Sequence, residues 1–304
     1  MDKFHISSTG LSMNYMPHYL AQELGYFKDV DLEVTFSVPT PWGIVLDDLN
    51  SGKAQAVEGG IWVPMMYLDR ICEYRAFAKT ASRCPLVLVA REPVEPFDWK
   101  YLEDKKVLVS GGDGASHGLF VTGCAKEGGA DLEKVHFIHD FAGPMLYSLF
   151  LGGMGDVIVL QPDMAARVAA AGKGHIIADL TEVGGTIPWS VYYSTPQCLE
   201  DPRQLAGRFT LALQRATTWL LEHDGGDCAG IIRRNWPKME LQAGVDVINL
   251  FRRTGMWSES VEVDRPCLGR WQGFLEDGYV IEKGIPYERF VDTRPYEYAK
   301  AHLG

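Results

Sequence analysis

The strongest candidate for holding an anion is a glycine-rich turn, GGDGASHG, at residues 111–118. Glycines such as Gly111 and Gly112 let backbone amides approach a ligand, and Ser116 can cap the helix that follows. The free N–H groups at such a helix start suit a carboxylate or sulfonate. The Gly-Lys-Ser/Thr ending of a nucleotide P-loop is missing, so that type of phosphate loop is excluded. A plain turn before a capped helix accounts for the same residues. His117 lies in the first turn of this helix, and His18 in the first turn of an earlier one. A helix N-terminus lowers a histidine's pKa and a bound carboxylate raises it, which makes either imidazole a proton donor near neutrality. A surface or capping histidine is the competing role for both, and His136 and His139 read as structural.

Arg83 stands between Ser82 and Cys84. Its guanidinium fork matches a carboxylate through two parallel hydrogen bonds, with an inter-lobe salt bridge as the alternative. Glu58, followed by the pair Gly59–Gly60, is placed to accept a phenol or an amine, to act as a base if desolvated, or to cap a helix. Tyr15, Met16, Trp42, Trp62 and Trp189 fall beside prolines and glycines, where they line a slot for a flat ligand or form core under the loops. That set favours an aromatic ligand over a sugar. Ser8, Thr9, Asp140 and Gln161 complete the expected lining.

These residues need a scaffold, and strand-type and helix-type segments alternate from the start. Residues 4–8, 32–38 and 54–57 read as strands, with helices at 14–26, before Gly52 and after Trp62. In the first helix Asn14 serves as cap and Pro17 suits the opening turn. The continuous apolar run PLVLVA at 85–90 reads as a central strand. A second alternating set follows, with strands at 106–109, 135–138, 156–160, 176–180 and 191–194. After Pro202 the chain is helical: Leu205, Phe209, Leu213, Ala216 and Leu220 recur at helical spacing. The class is α/β, in two lobes with a ligand cleft between them and C-terminal helices. Lobe 1 is expected at 1–84 plus 195–304 and lobe 2 at 85–194, with crossovers near 85–90 and 188–194. In open α/β sheets ligands bind beyond the carboxyl ends of strands, which is where the residues above fall.

The 304 residues are 46% hydrophobic and 23% charged, an ordinary globular balance that excludes disorder and fibrous repeats. With 29 basic against 40 acidic residues the net charge is −11, so nucleic acid is repelled and is not an expected partner. No apolar stretch reaches the roughly 20 residues needed to span a bilayer. The six cysteines form no CxxC pair, so no metal site and no cofactor is expected. The run MDKFHISSTG enters a strand without a leader's basic and apolar regions, which leads to the expectation of a cytoplasmic protein. A leader removed upstream would instead make it periplasmic or membrane-tethered.

The run NYMPHYLAQELGYFKDVDLEV resembles the opening of the NMT1/THI5-like, or SsuA-like, solute-binding proteins, through Pro17, Ala21, Gly25, Tyr26 and Phe27. LEDKKVLVSGGDGAS resembles the strand and glycine-serine turn of their second lobe. The resemblance covers about residues 4–200 and implies the type II periplasmic-binding-protein fold. That fold also carries enzymes. AVEGGIWVPMMY loosely resembles the Asp-x-x-Glu-x-Ser-x-x-x-Tyr pattern of dihydroxyphthalate-type decarboxylases at Glu58, with the aspartate absent and Gly60 in place of the serine. The first loop lacks a desulfinase's cysteine, and the cysteine cluster of pyrimidine-forming enzymes is missing. The leading expectation is a cytoplasmic, cofactor-independent decarboxylase for a small aromatic or heteroaromatic carboxylic acid bound in the cleft. Arg83 or the 111–118 amides would orient the carboxylate, and His117 or His18 would protonate the carbanion. The alternative is the solute-binding subunit of an ABC uptake system, with a permease as partner, for a small anionic or pyrimidine-like compound. The oligomeric state is open, a homodimer included.

Overall fold

The computed structural model describes residues 1–70, 72–111 and 115–303. Ten strands are formed in chain order: β1 (Asp2–Ser8), β2 (Leu32–Ser37), β3 (Ala56–Gly60), β4 (Arg75–Ala81), β5 (Val87–Ala90), β6 (Lys106–Leu108), β7 (His136–Ile138), β8 (Val157–Leu160), β9 (His175–Asp179) and β10 (Ser190–Ser194). They make two five-stranded mixed sheets, ordered β2-β1-β3-β10-β4 and β7-β6-β8-β5-β9. In the first, β1 runs parallel to β2 and β3, while β10 is antiparallel to both β3 and β4. In the second, β6 runs parallel to β7 and β8, and β5 is antiparallel to β8 and β9. Two such sheets with flanking helices make the two-lobed periplasmic-binding-protein architecture.

Local sequence explains most elements. In β2, Leu32 and Val34 are buried and alternate with exposed Glu33 and Thr35, the period of a half-covered strand. In β5 and β8 all four residues are buried, as expected of strands covered on both faces. The helix Met16–Glu23 has Pro17 in its first turn and is followed by Gly25 at φ +79°, the left-handed position that glycine takes without steric cost. Asn14 is not its cap: the cap position is Tyr15, and the Asn14 amide donates to Ser190 Oγ at 3.3 Å.

The chain divides into two units, with boundaries that differ from the expected lobes. The first comprises Met1–Ser82, Ile187–Arg270 and Lys283–Gly304; the second comprises Arg83–Thr186 and Trp271–Glu282. Residues 187–194 belong to the first because β10 inserts between β3 and β4. Residues 271–282 belong to the second because Trp271 and Phe274 pack on Phe120, with ring centroids 5.9 and 6.0 Å away. In the first unit, Phe209 of the helix Leu205–Glu222 stacks on Phe4 at 5.0 Å and Phe27 at 5.1 Å. The second has an apolar centre that includes Val87, Val89, Leu108, Phe150 and Ile158.

Candidate functional site

The third strand of the first sheet begins later than its apolar run suggests and carries Glu58, Gly59 and Gly60 inside the ladder rather than in a loop. Pairing with β10 supplies the reason: Tyr192 lies directly opposite Glu58, Val191 opposite Gly59 and Ser190 opposite Gly60. The glycines answer to close packing. A Cβ on Gly59 would stand 2.7 Å from the Thr9 methyl, and one on Gly60 2.3 Å from Trp62 Nε1.

Glu58 is fully buried. Its Oε1 accepts two hydrogen bonds, from the Tyr192 hydroxyl at 2.7 Å and the Thr80 hydroxyl at 3.2 Å. Its Oε2 is equally buried and has no partner among the described residues. Burial pushes the carboxyl up to about 8, against the opposing effect of the Tyr192 and Thr80 hydrogen bonds. The group is therefore mostly protonated at neutral pH. Because Oε1 is doubly used as an acceptor, the proton belongs on Oε2, where it makes a donor with nothing to donate to.

His18 closes the network from the helix side. Its Nδ1 lies 3.2 Å from the Tyr192 hydroxyl. That hydroxyl spends its proton on Glu58, so Nδ1 carries the hydrogen and donates. The imidazole is enclosed by Phe36, Phe27 and Tyr19, and burial lowers it to about 3. The histidine expected as a proton donor is thus held neutral by burial, while the neighbouring Glu58 carboxyl is held protonated. The Tyr15 hydroxyl is pushed up to about 12 by burial, with the Glu58 charge adding to it and hydrogen bonds to Thr9 and Ser190 opposing it. Tyr19, whose hydroxyl is buried without a partner, is raised for the same two leading reasons. The Thr9 amide donates to the Glu58 carbonyl at 3.0 Å and fixes the loop after β1 to β3.

The other expected residues are placed as follows. Ser8 is buried and donates to the Gly10 carbonyl at 2.9 Å, and Met16 and Trp189 are buried. Trp42 and Trp62 meet edge to face with centroids 5.9 Å apart. Arg83 and His117 belong to the second unit, whereas Glu58 and His18 belong to the first. Arg83 donates through Nη1 to the Thr181 carbonyl at 2.8 Å, and its buried Nε has no partner among the described residues. Ser116 lies within the helix Ala115–Glu127 and is buried, so it is not that helix's cap. His117 is half-buried, while Asp140 and Gln161 are exposed. A Cβ on Gly111 would stand 2.5 Å from the His139 carbonyl, which explains that glycine by backbone approach. Gly112 lies outside the described residues. Cys84 is buried with its thiol pushed well up by desolvation, which suits packing. Among the described residues, no group of three or more His, Cys, Asp or Glu is arranged to hold a metal ion, and no helix is long and apolar enough to cross a membrane.

Sequence reasoning missed Tyr192 and Thr80. A usable signal existed for the first: in the strand SVYYS a large hydroxylated side chain alternates toward the face that carries Glu58. For Thr80 the strand itself, RAFAKTA, is too rich in alanine to announce itself.

The chain is similar over 302 residues, at 26% identity, to the protein named "Putative binding protein YtlA" of Bacillus subtilis (strain 168), spanning 96% of this chain and 88% of that one. Its fold matches the periplasmic aliphatic sulphonate binding protein SsuA from Escherichia coli with a TM-score of 0.73 at 11% identity, over 96% and 97% of the two chains. It also matches the ligand binding component of an ABC-type import system from Staphylococcus aureus with a TM-score of 0.73 at 13% identity, over 98% and 99%. The family model described as NMT1/THI5 like matches residues 12–225, and the chain belongs to that family.

Proposed function

We propose that this protein is the solute-binding subunit of an ABC uptake system, carrying a small flat molecule of pyrimidine-like or anionic character to a membrane permease. The observation that carries this reading is the Glu58 carboxyl, buried and neutral, with one oxygen that has no partner. A protonated carboxyl on a rigid strand pair is a donor for an in-plane ring nitrogen or an anionic oxygen, and in its neutral form it repels neither. Tyr192, Thr80 and His18 hold it in one orientation. Full-length likeness to a protein named for binding supports carriage over the lyase chemistry expected from sequence.

One observation favours the lyase reading. An acid near pH 8 is poised to protonate a carbanion, so catalysis would run through Glu58 rather than a histidine.

Calorimetry with an aminopyrimidine, an alkanesulfonate and an aromatic carboxylate, at pH 6.5 and 9, separates the two. Carriage predicts saturable binding that is tighter at pH 6.5, equal at both pH values in Glu58→Gln, which keeps one acceptor and one donor, and weakened in Glu58→Leu, with the ligand recovered unchanged. Release of CO2 from the carboxylate would replace this reading with the lyase. Failure of all three classes to bind would remove it.

A further inference from the structure

We propose that the ligand of the Glu58 site is an uncharged ring carrying hydrogen-bond acceptors, and that the Tyr19 hydroxyl is the second donor that holds it. This inference rests on the carriage reading and narrows it, selecting the uncharged ligand over the anionic one.

Two buried O–H groups of the first unit keep a proton to give. One is Glu58, whose Oε2 has no partner among the described residues. The other is Tyr19, on the helix Met16–Glu23, which is 8% exposed and whose hydroxyl also has no partner among the described residues. Its ring is fixed edge to face by Trp236, His18 and Phe36, with centroids 5.7, 5.9 and 6.0 Å away. That packing asks only for a phenylalanine. The oxygen therefore needs another reason, because a buried hydroxyl without an acceptor lowers stability. The Glu58 charge and the Tyr15 hydroxyl both act on it through space, and the Ser12 amide acts on it as a donor, which leaves the O–H proton unused. The neighbouring phenols differ: Tyr192 donates to Glu58, and Tyr15 bonds to Thr9 and Ser190.

Charge selects the ligand class. Glu58 is met by the hydroxyls of Thr80 and Tyr192 and, through Tyr192, by a neutral imidazole. The buried lysine of the adjoining strand, Lys79, lies opposite Val191, so it points to the other face of the sheet from Tyr192, and it pairs with Asp264 at 3.1 Å. Two O–H donors do not replace the hydration of an anion, and ionised Glu58 would repel one. An uncharged acceptor meets neither cost.

Calorimetry on the full chain at pH 6.5 tests this with nicotinamide and nicotinate, two probes of one shape that differ by a charge. Nicotinamide should bind saturably at one site, about tenfold or more tighter than nicotinate. Tyr19→Phe should weaken nicotinamide several-fold, the scale of one hydrogen bond, and leave the melting midpoint of the ligand-free protein unchanged or raised. Tyr15→Phe, which removes a hydroxyl used within the fold, should lower that midpoint. The proposal is overturned if nicotinate binds as tightly, if neither probe binds, if Tyr19→Phe binds nicotinamide like the wild type, or if Tyr19→Phe melts early as Tyr15→Phe does. An alkanesulfonate that binds where nicotinamide does not would overturn it and leave carriage standing. Release of CO2 from nicotinate would overturn carriage, and this narrowing with it.

Discussion

In the first unit the strand that runs against its neighbours, β10, meets β3 through Tyr192 and Glu58; in the second, the strand in the corresponding position, β5, meets β8 through Val87–Leu160 and Leu88–Val159. Both pairs sit fourth and third in five-stranded sheets of one plan, and both are buried. Topology therefore does not call for an acid at this place. A buried carboxyl with an unpartnered oxygen lowers stability relative to the aliphatic solution next door, so its presence in one sheet alone points to recognition there. Where two halves of a chain share a plan, the position at which one departs from the cheaper solution is the one the proposed carriage function has to explain.

The sharpest way to break this comparison is to exchange the two solutions. Leu88→Glu puts a carboxyl where no hydroxyl stands opposite, and should cost about 3–5 kcal/mol, the scale of an uncompensated buried charge. Glu58→Leu leaves the Tyr192 and Thr80 hydroxyls without their acceptor and should cost less, about 1–3 kcal/mol. Urea denaturation of both variants measures the difference. Equal losses would mean that the first sheet is no better prepared for a carboxyl than the second.

The pH dependence of stability comes next. Glu58 is raised from an ordinary 4.5 to about 8, so the folded state holds a proton that the unfolded state releases, and stability falls as pH rises through that window. His18 is lowered from 6.5 to about 3, so the unfolded state takes a proton that the folded state refuses, and stability falls as pH drops through that window. The two slopes oppose one another between 4.5 and 6.5. Above that overlap only the Glu58 loss remains, roughly 2 kcal/mol between pH 6.5 and 8 at ~1.4 kcal/mol per unit. Glu58→Gln should remove this alkaline loss and keep the acid one. Denaturation midpoints at half-unit intervals read both limbs. Tyr192→Phe is a smaller step: it strips one donor from Glu58 and the acceptor from His18, costs about 1–2 kcal/mol, and moves the alkaline loss to higher pH. The same substitution should weaken binding of whatever ligand Glu58 receives.

Much of the scaffold is legible in the residues themselves. Pro17 and Gly25 bracket a helix, Leu32 and Val34 alternate into a strand, and the apolar Val87–Ala90 is an interior strand, next to the edge strand β9. Contacts distant in sequence are another matter. The pairing that turns Glu58 from a loop acid into a strand acid comes from Tyr192, 134 residues away, and no local pattern encodes it. His18 shows the same limit. Its place in a first turn suggests a titrating group, but the rings of Phe27 and Phe36 that keep it neutral arrive from later elements. Glu58 was recognisable as a carboxylate beside two glycines; its protonation was not, because desolvation is a property of the assembled sheet.

The smallest effect bears on the second unit's own economy of space. Gly118 and Gly123 occupy the same helix, Ala115–Glu127, and intrinsic propensity favours alanine at both by about 0.5–1 kcal/mol. Packing decides otherwise at one of them. A methyl at 123 would stand 2.3 Å from the Phe274 ring, so Gly123→Ala must displace that ring and should destabilise by about 1–3 kcal/mol, the usual penalty of overpacking. A methyl at 118 would lie 3.9 Å from Val109, an ordinary contact, so Gly118→Ala should raise stability by about 0.5–1 kcal/mol. Thermal melts of the two variants give opposite signs if local packing alone separates the two positions. If Gly118→Ala also destabilises, helix propensity is not what decides at 118, and the fold itself needs the glycine.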